Sequence, residues 1–138
     1  MFYFKKVLVL VLFVFIAASC TGMERQRIEV QKMNDTCTYE DFKEITNAKK
    51  VKIAKKILHN AEWKQMKVDM AREADYQFIF QFVNPDIHAK AIPYSVWISP
   101  SKDTIEVVQG EQQYVHLNTE DSQKLFEALT ETNLVDIK

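Results

Sequence analysis

The sequence predicts an α+β domain in which an antiparallel sheet of about five to six strands is covered on one face by two helices. Segments of alternating apolar and polar residues, typical of half-buried strands, follow one another between residues 64 and 117. Two other segments, near residues 50 and 125, carry apolar residues at spacings of three and four, which indicates amphipathic helices. A run of strands followed by a helix favours an antiparallel sheet.

The N-terminal segment has the pattern of a secretory signal. Lys5 and Lys6 precede an apolar run over residues 7–16, and the small residues 17–19 follow. Even when it is extended to residue 18, the run has only twelve residues, whereas a helix needs roughly 20 to cross a bilayer. We therefore expect a leader that is cleaved from an exported protein.

Cys20 directly follows this leader and is the clearest candidate functional residue. Residues 17–20 (AASC) resemble the lipobox of bacterial lipoproteins, with Ala17 where leucine is favoured. The resemblance implies that the sulfur of Cys20 receives a diacylglyceryl group and that the leader is cut before it. Two acyl chains would then hold the protein on the extracytoplasmic face of the cell membrane. The alternative is an ordinary signal followed by a cysteine without a special role.

These features divide the chain into a lipoprotein signal peptide (1–19), a lipidated tether (20–26) and a single α+β domain (27–138). Removal of the leader leaves 119 residues, enough to bury a core without help from a metal or a disulfide. The remaining 16 Lys and Arg against 19 Asp and Glu give no reason to expect nucleic acid as a partner. Cys37 is then the only other thiol, and we expect it to be small and half-buried rather than reactive.

The first half of the domain predicts two strands and a helix. The strands cover residues 27–33 and 39–45, and Asn47 caps a helix of about four turns that ends near Asn60. The polar face of this helix carries five lysines: Lys49, Lys50, Lys52, Lys55 and Lys56. Such a face either meets anionic lipid or wall polymer or is simply solvated. The slightly acidic composition of the domain favours the solvated interpretation.

The densest strand pattern lies over residues 64–71 and 75–82. In the second of these strands, four aromatic residues share one face: Tyr76, Phe78, Phe80 and Phe82. Aromatic side chains at every second position are typical of a sheet that fills a core beneath a helix. The alternative interpretation is an aromatic groove that binds a peptide or a lipid.

Three more strands are predicted over residues 94–99, 104–108 and 112–117, before a last helix capped by Asn118 or Thr119. The alternation places three side chains on the face of the sheet turned away from the core: Trp97, Tyr114 and His116. Aromatic residues grouped in this way are common in recognition hot spots, so this outer-face patch is the predicted binding site. The alternative is a patch covered by the N-terminal strand or by a helix.

No catalytic or metal-binding pattern is visible. The histidines His59, His88 and His116 share no metal-ligand spacing, and neither a metal nor another cofactor is predicted. The chain has only two glycines, so phosphate-binding loops are not expected. His88, near Asp86 in a predicted loop over residues 85–93, is the one candidate for a general base. No nucleophile accompanies it in the sequence.

Several segments together resemble a known family. The lipobox, the helix ITNAKKVKIAKKILHNAEW, the strand DYQFIF and the pair YSVWIS and HL look like small uncharacterised Gram-positive cell-envelope lipoproteins of the YhfM type. The resemblance covers most of the mature chain. It implies an envelope location but supplies no catalytic residues.

The sequence therefore predicts a membrane-anchored extracytoplasmic lipoprotein that acts as a non-enzymatic binding module. Its predicted partners are the membrane, through the lipid, and a protein, peptide or wall polymer. Alternatives are a small envelope hydrolase or inhibitor that acts through the 85–93 loop, and an immunity or surface-exclusion lipoprotein.

Overall fold

The computed structural model describes residues 24–138. The predicted leader, Cys20 and the first part of the tether lie outside these residues. The strands are β1 (Gln26–Met33), β2 (Tyr39–Ile45), β3 (Lys64–Gln65), β4 (Tyr76–Phe82), β5 (Tyr94–Ile98), β6 (Ile105–Gln109) and β7 (Gln113–His116). The helices are α1 (Ala48–Asn60), α2 (Thr119–Thr130) and a short 3-10 helix (Leu134–Asp136). In this part of the chain, no helix has the length and apolar character needed to span a bilayer.

The strands form one antiparallel sheet in the order β2-β1-β4-β5-β6-β7-β3. The α+β class and the two helices on one face are confirmed. The predicted count of five to six strands is slightly low, because the sheet has seven.

The prediction of one long strand over residues 64–71 is wrong. Only Lys64–Gln65 pairs, with Tyr114 and Gln113 of β7 at the edge of the sheet. Because β4 lies beyond β7, β6 and β5, the chain must cross the outer face of the sheet to reach it. We call residues 66–75 the crossing segment; its side chains Val68 and Met70 are half-buried. Its alternating pattern therefore reflects packing on the sheet and not strand pairing.

Side chains outside both ends of helix α1 form hydrogen bonds with its terminal backbone groups. The side chain of Asn47 accepts hydrogen bonds from the amides of Lys49 and Lys50, at 3.0 and 3.2 Å, which confirms the predicted cap. Three residues beyond Asn60, the indole Nε1 of Trp63 donates to the carbonyl of Leu58 at 2.8 Å. The helix buries Val51, Ala54, Ile57 and Leu58.

Helix α2 is tied to the sheet by a buried serine. The side chain of Asn118 accepts from the amide of Asp121 at 2.8 Å and caps the helix. The fully buried Ser122 hydroxyl accepts from the amide of Ile105 at 2.9 Å and donates to the carbonyl of Leu117 at 3.2 Å. The predicted apolar stripe is buried as expected, namely Leu125, Phe126 and Leu129.

The core lies between the helices and one face of the sheet. Tyr76 and Phe78 of the aromatic run are buried in it, and the ring of Phe126 from α2 meets Tyr76 edge-on at 5.6 Å between centroids. The next two aromatic residues, Phe80 and Phe82, are only half-buried. The first two aromatic residues of β4 therefore belong to the core, whereas the last two lie at its edge.

Candidate functional site

The structure places the three residues of the predicted outer-face patch on the same face of the sheet. Trp97 pairs with Glu106, which pairs with His116, and Tyr114 lies on the same face two residues before His116. Glu106 lies on β6, the strand between β5 with Trp97 and β7 with Tyr114.

Each residue of this patch is engaged by a neighbour within the domain. The Trp97 indole donates to the carbonyl of Arg72 at 2.9 Å, and the Tyr114 hydroxyl donates to the carboxylate of Glu106. The His116 ring nitrogen Nε2 lies 2.9 Å from the Thr104 hydroxyl. The cover over Trp97 is the crossing segment, and not the N-terminal strand or a helix as the alternative interpretation had it.

The crossing segment is fastened where it enters β4. Arg72 forms an ion pair with Asp75 at 2.7 Å and donates to the carbonyl of Ile98 at 2.9 Å. The other oxygen of Asp75 accepts from the amide of Ile98 at 2.7 Å. These bonds hold the segment against Trp97, so the patch serves first as a packing surface.

Replacement of Tyr114 by phenylalanine tests the tyrosine–glutamate contact through its pH dependence. Burial, followed by the hydrogen bond to Glu106, raises the pKa of Tyr114 to about 12. Because the pKa is higher in the folded chain, the contact stabilises the protein below pH about 10 and is lost as the pH rises towards 12. We expect Tyr114→Phe to lower the free energy of unfolding by about 1 kcal/mol near pH 8, because solvent weakens a half-exposed charged hydrogen bond.

The difference in the free energy of unfolding between the wild type and Tyr114→Phe should shrink between pH about 10 and 12. Urea unfolding at a series of pH values measures it. The other tyrosines of raised pKa titrate in both proteins, so they cancel in the comparison: Tyr39, Tyr76 and Tyr94. A difference that stays constant over this range contradicts the assignment.

A second candidate site is a groove at the end of the aromatic run, between α1 and the sheet. It has a volume of about 910 Å³. Its apolar and aromatic lining is Leu58, Trp63, Phe80, Phe82, Ala89, Ala91, Ile92 and Tyr94. Its polar and basic lining is Gln26, Lys55, His59, Gln81, Lys90 and Gln109. We call this feature the aromatic groove.

Tyr94 is the centre of the aromatic groove. Its ring stacks on Phe78 at 4.8 Å, meets Phe80 edge-on at 5.8 Å and lies 6.4 Å from Trp63, each measured between ring centroids. Burial raises the pKa of the Tyr94 phenol. Since Phe78 is a core residue, the floor of the groove is continuous with the core.

The electrostatic character of the aromatic groove is basic. Lys55 places its ammonium 5.7 Å from the centroid of the Phe80 ring, and Lys90 and His59 also line the groove. No Asp or Glu occurs among the lining residues that the structure describes. The groove therefore suits a ligand that combines an apolar part with an acidic group.

The sequence pattern did not indicate that Trp63, Lys55 and Lys90, which lie outside the aromatic run, belong to one site. The only local signal was a tryptophan placed directly after the end of a helix. Tyr94 itself is half-buried between the core and the groove.

The loop alternative receives little support from the geometry. His88 is exposed and borders a cavity of about 590 Å³. Among its described lining residues there is no serine, threonine or cysteine that the imidazole could activate. Over residues 24–138, no group of three His, Cys, Asp or Glu side chains is placed to hold a metal ion.

The prediction that Cys37 is half-buried is wrong, because its side chain is exposed. It lies in the turn between β1 and β2 with a φ of 59°. The side chain of Asn34 accepts from the amides of Thr36 and Thr38, at 3.0 and 2.9 Å, and shapes this turn. The turn projects from the end of the sheet, so Cys37 meets solvent and not the core.

Comparison with known proteins identifies a family but no relative of known structure. A search of curated proteins and a search of solved structures each found no match. The model of the family described as YhfM protein matches residues 23–134, which include every strand and both α-helices of the fold. The chain therefore belongs to the YhfM protein family.

Proposed function

We propose that this protein is a lipoprotein, anchored to the extracytoplasmic face of the membrane through Cys20, whose domain acts as a non-enzymatic binding module of the cell envelope. The leader pattern and the cysteine after it support the anchor. The observation that carries the binding role is the aromatic groove, which is open and whose Tyr94 stacks on the buried core residue Phe78. Its volume lies within the range of about 300–1,000 Å³ that is usual for ligand sites.

The lining of the groove favours an amphiphile with an acidic head group as the ligand. Phe80, Tyr94 and Trp63 offer apolar surface to a hydrocarbon chain, because burial of such surface is favourable wherever water is displaced. Lys55 and Lys90 supply positive charge at the same site, and no lining carboxylate opposes an acidic head group. A ligand of this kind is available at a membrane surface.

The aromatic groove is a better candidate than the outer-face patch for a physical reason. The polar atoms of Trp97 and Tyr114 already form hydrogen bonds to Arg72 and Glu106. A partner at the patch would have to displace the crossing segment and its ion pair. A partner in the groove displaces only solvent.

Two single-tryptophan proteins distinguish these sites. The chain has two tryptophans, so Trp97→Phe leaves Trp63 in the groove as the only indole, and Trp63→Phe leaves Trp97 under the crossing segment. With oleate as the probe, below its micelle concentration, we expect a saturable change in the emission of the Trp97→Phe protein. The Trp63→Phe protein should show no comparable change.

The charge of the groove is tested by one further pair of measurements. Lys55→Gln should weaken oleate binding and leave the binding of the uncharged oleyl alcohol nearly unchanged, because only the acid interacts with the ammonium. An emission change confined to Trp97, or no saturable change in either protein, rejects the groove as the binding site.

A further inference from the structure

The lysines of α1 form a strongly basic surface that the binding groove uses only in part. Five of its 13 residues are lysine and none is acidic. Successive residues of a helix turn by about 100°, so Lys49, Lys52 and Lys56 point away from the buried Val51 and Ala54. These three lysines and Lys55 are exposed, and together we call them the basic face.

Lys50 does not belong to the basic face. It is half-buried on the flank of α1 that meets α2, and its ammonium lies 3.4 Å from the carboxylate of Glu131. Four lysines of α1 thus remain without an ion pair among the described residues.

The two helices carry net charges of opposite sign. The full chain is nearly neutral, with a formal net charge of −1. Helix α2, by contrast with α1, carries Glu120, Asp121 and Glu127 against the single Lys124. The positive charge is therefore a local feature of α1 and not of the whole chain.

Through Lys55, the basic face borders the end of the domain where the chain enters from its N-terminal side. Lys55 lines the aromatic groove together with Gln26, the first residue of β1. The chain from Cys20 to Gln26 can span at most about 21 Å. A lipid on Cys20 would therefore keep this end of the domain near the bilayer surface.

Exposed apolar side chains occur at the same end. Ile92 lines the groove and is 52% exposed, and Val83 is 44% exposed. The amide of Val83 donates to the carbonyl of Arg25 at 3.0 Å, so Val83 sits beside the entering chain. Basic and apolar residues side by side are the usual composition of a surface that rests on lipid head groups.

We propose that the basic face docks on an anionic phospholipid bilayer and turns the aromatic groove towards the lipid head groups. The inference rests on the proposed lipid anchor and adds an orientation to it. Electrostatic attraction is the driving force, because the lysines are exposed and the anionic leaflet concentrates positive charge near its surface. Each lysine removed should lower the docking equilibrium about fivefold, which corresponds to roughly 1 kcal/mol.

The experiment uses the lipidated protein purified from its host, with Trp97→Phe so that Trp63 is the only indole. The protein is reconstituted in zwitterionic phosphatidylcholine vesicles, or in vesicles that also contain phosphatidylglycerol, both with brominated acyl chains that quench nearby indoles. We expect stronger quenching of Trp63 in the anionic vesicles at low salt, and a return to the zwitterionic level at high salt as the charges are screened.

Matched charge reversals identify the surface that is responsible. Lys52→Glu with Lys56→Glu should abolish the additional quenching, since both lysines lie on the basic face. Lys124→Glu with Lys138→Glu changes the net charge equally but lies on α2 and at the C-terminus, so it should leave the quenching unchanged. Circular dichroism of both variants checks that α1 and α2 are intact.

The outcomes separate the docking from the anchor. A protein that does not float with zwitterionic vesicles contradicts the anchor and, with it, the docking. A protein that floats with both kinds of vesicle but shows equal quenching of Trp63 in them overturns the docking alone. Equal losses in the two charge-reversal variants also overturn it, because the effect would then follow net charge and not the basic face.

Discussion

Phe78→Ala is expected to lower the free energy of unfolding by about 3–5 kcal/mol, the usual cost of removing a phenylalanine ring from a close-packed core. Phe78 is only 2% exposed and is among the largest fully buried side chains of the described domain. Its ring stacks on Tyr94 and meets Phe80 edge-on. The cavity left by the substitution would be enclosed by the sheet and the helices, which limits its collapse.

The matched control is Phe80→Ala, which removes the same ring two residues along the same strand. Phe80 is half-buried and borders the aromatic groove, so solvent can fill the space and the loss should be clearly smaller. Urea unfolding at equilibrium measures both losses. Equal losses would mean that the end of the aromatic run is packed as tightly as its start, and that the groove is not open in solution.

Such a loss matters because domains of this size are stable by only about 5–15 kcal/mol. A protein that has lost 3–5 kcal/mol also exposes its core more often. The Phe78→Ala protein should therefore bind oleate in the groove more weakly, since the Phe78 ring stacks on Tyr94. Binding and stability should change together in this variant, whereas Lys55→Gln should change binding alone.

The elements whose signals are local were predicted well from the sequence. Asn47 was predicted as a cap and Asn118 as one of two candidates, because a capping side chain accepts from amides only two or three residues away. The alternation of β5 and β7 placed Trp97 and His116 on the face away from the core, because the period of a strand fixes the side of each residue.

The crossing segment shows where such reasoning ends. Residues 66–70 alternate like a strand, yet after the amide of Met66, which donates to the carbonyl of Gln112, their backbone pairs with no strand. The reason is that β3 and β4 are separated by three other strands. The position of each strand in the sheet depends on contacts between distant residues, which periodicity does not report. For the same reason, the sequence did not indicate that the crossing segment covers Trp97.

The aromatic groove depends on contacts of the same kind. Trp63 and Tyr94 are 31 positions apart in the sequence, and they meet because α1 ends above the start of β5. The pattern of β4 alone indicated that an aromatic groove was possible. It did not indicate which residues contact Phe80 there. A single sequence gives the side of the sheet on which a residue lies, but not which helix end covers it.

Cys20→Ala is expected to abolish the attachment of the protein to the membrane. If the sulfur of Cys20 carries a diacylglyceryl group, its two acyl chains supply far more binding than exposed lysines do, since each buried methylene contributes about 0.8 kcal/mol. Without them the protein should leave the membrane fraction, at the latest when salt is raised enough to screen the basic face.

Cys37→Ala is the matched control, because Cys37 is the only other cysteine of the chain. Its side chain is exposed in a turn, so this variant should fold and remain in the membrane fraction. Mass spectrometry of the protein from its host should find the lipid on Cys20 in the wild type and in Cys37→Ala. Salt then separates the two forces: an anchored protein resists it, whereas a protein held by the basic face alone is released. Retention of Cys20→Ala in high salt would require an attachment that neither the lipid nor the lysines of α1 provide.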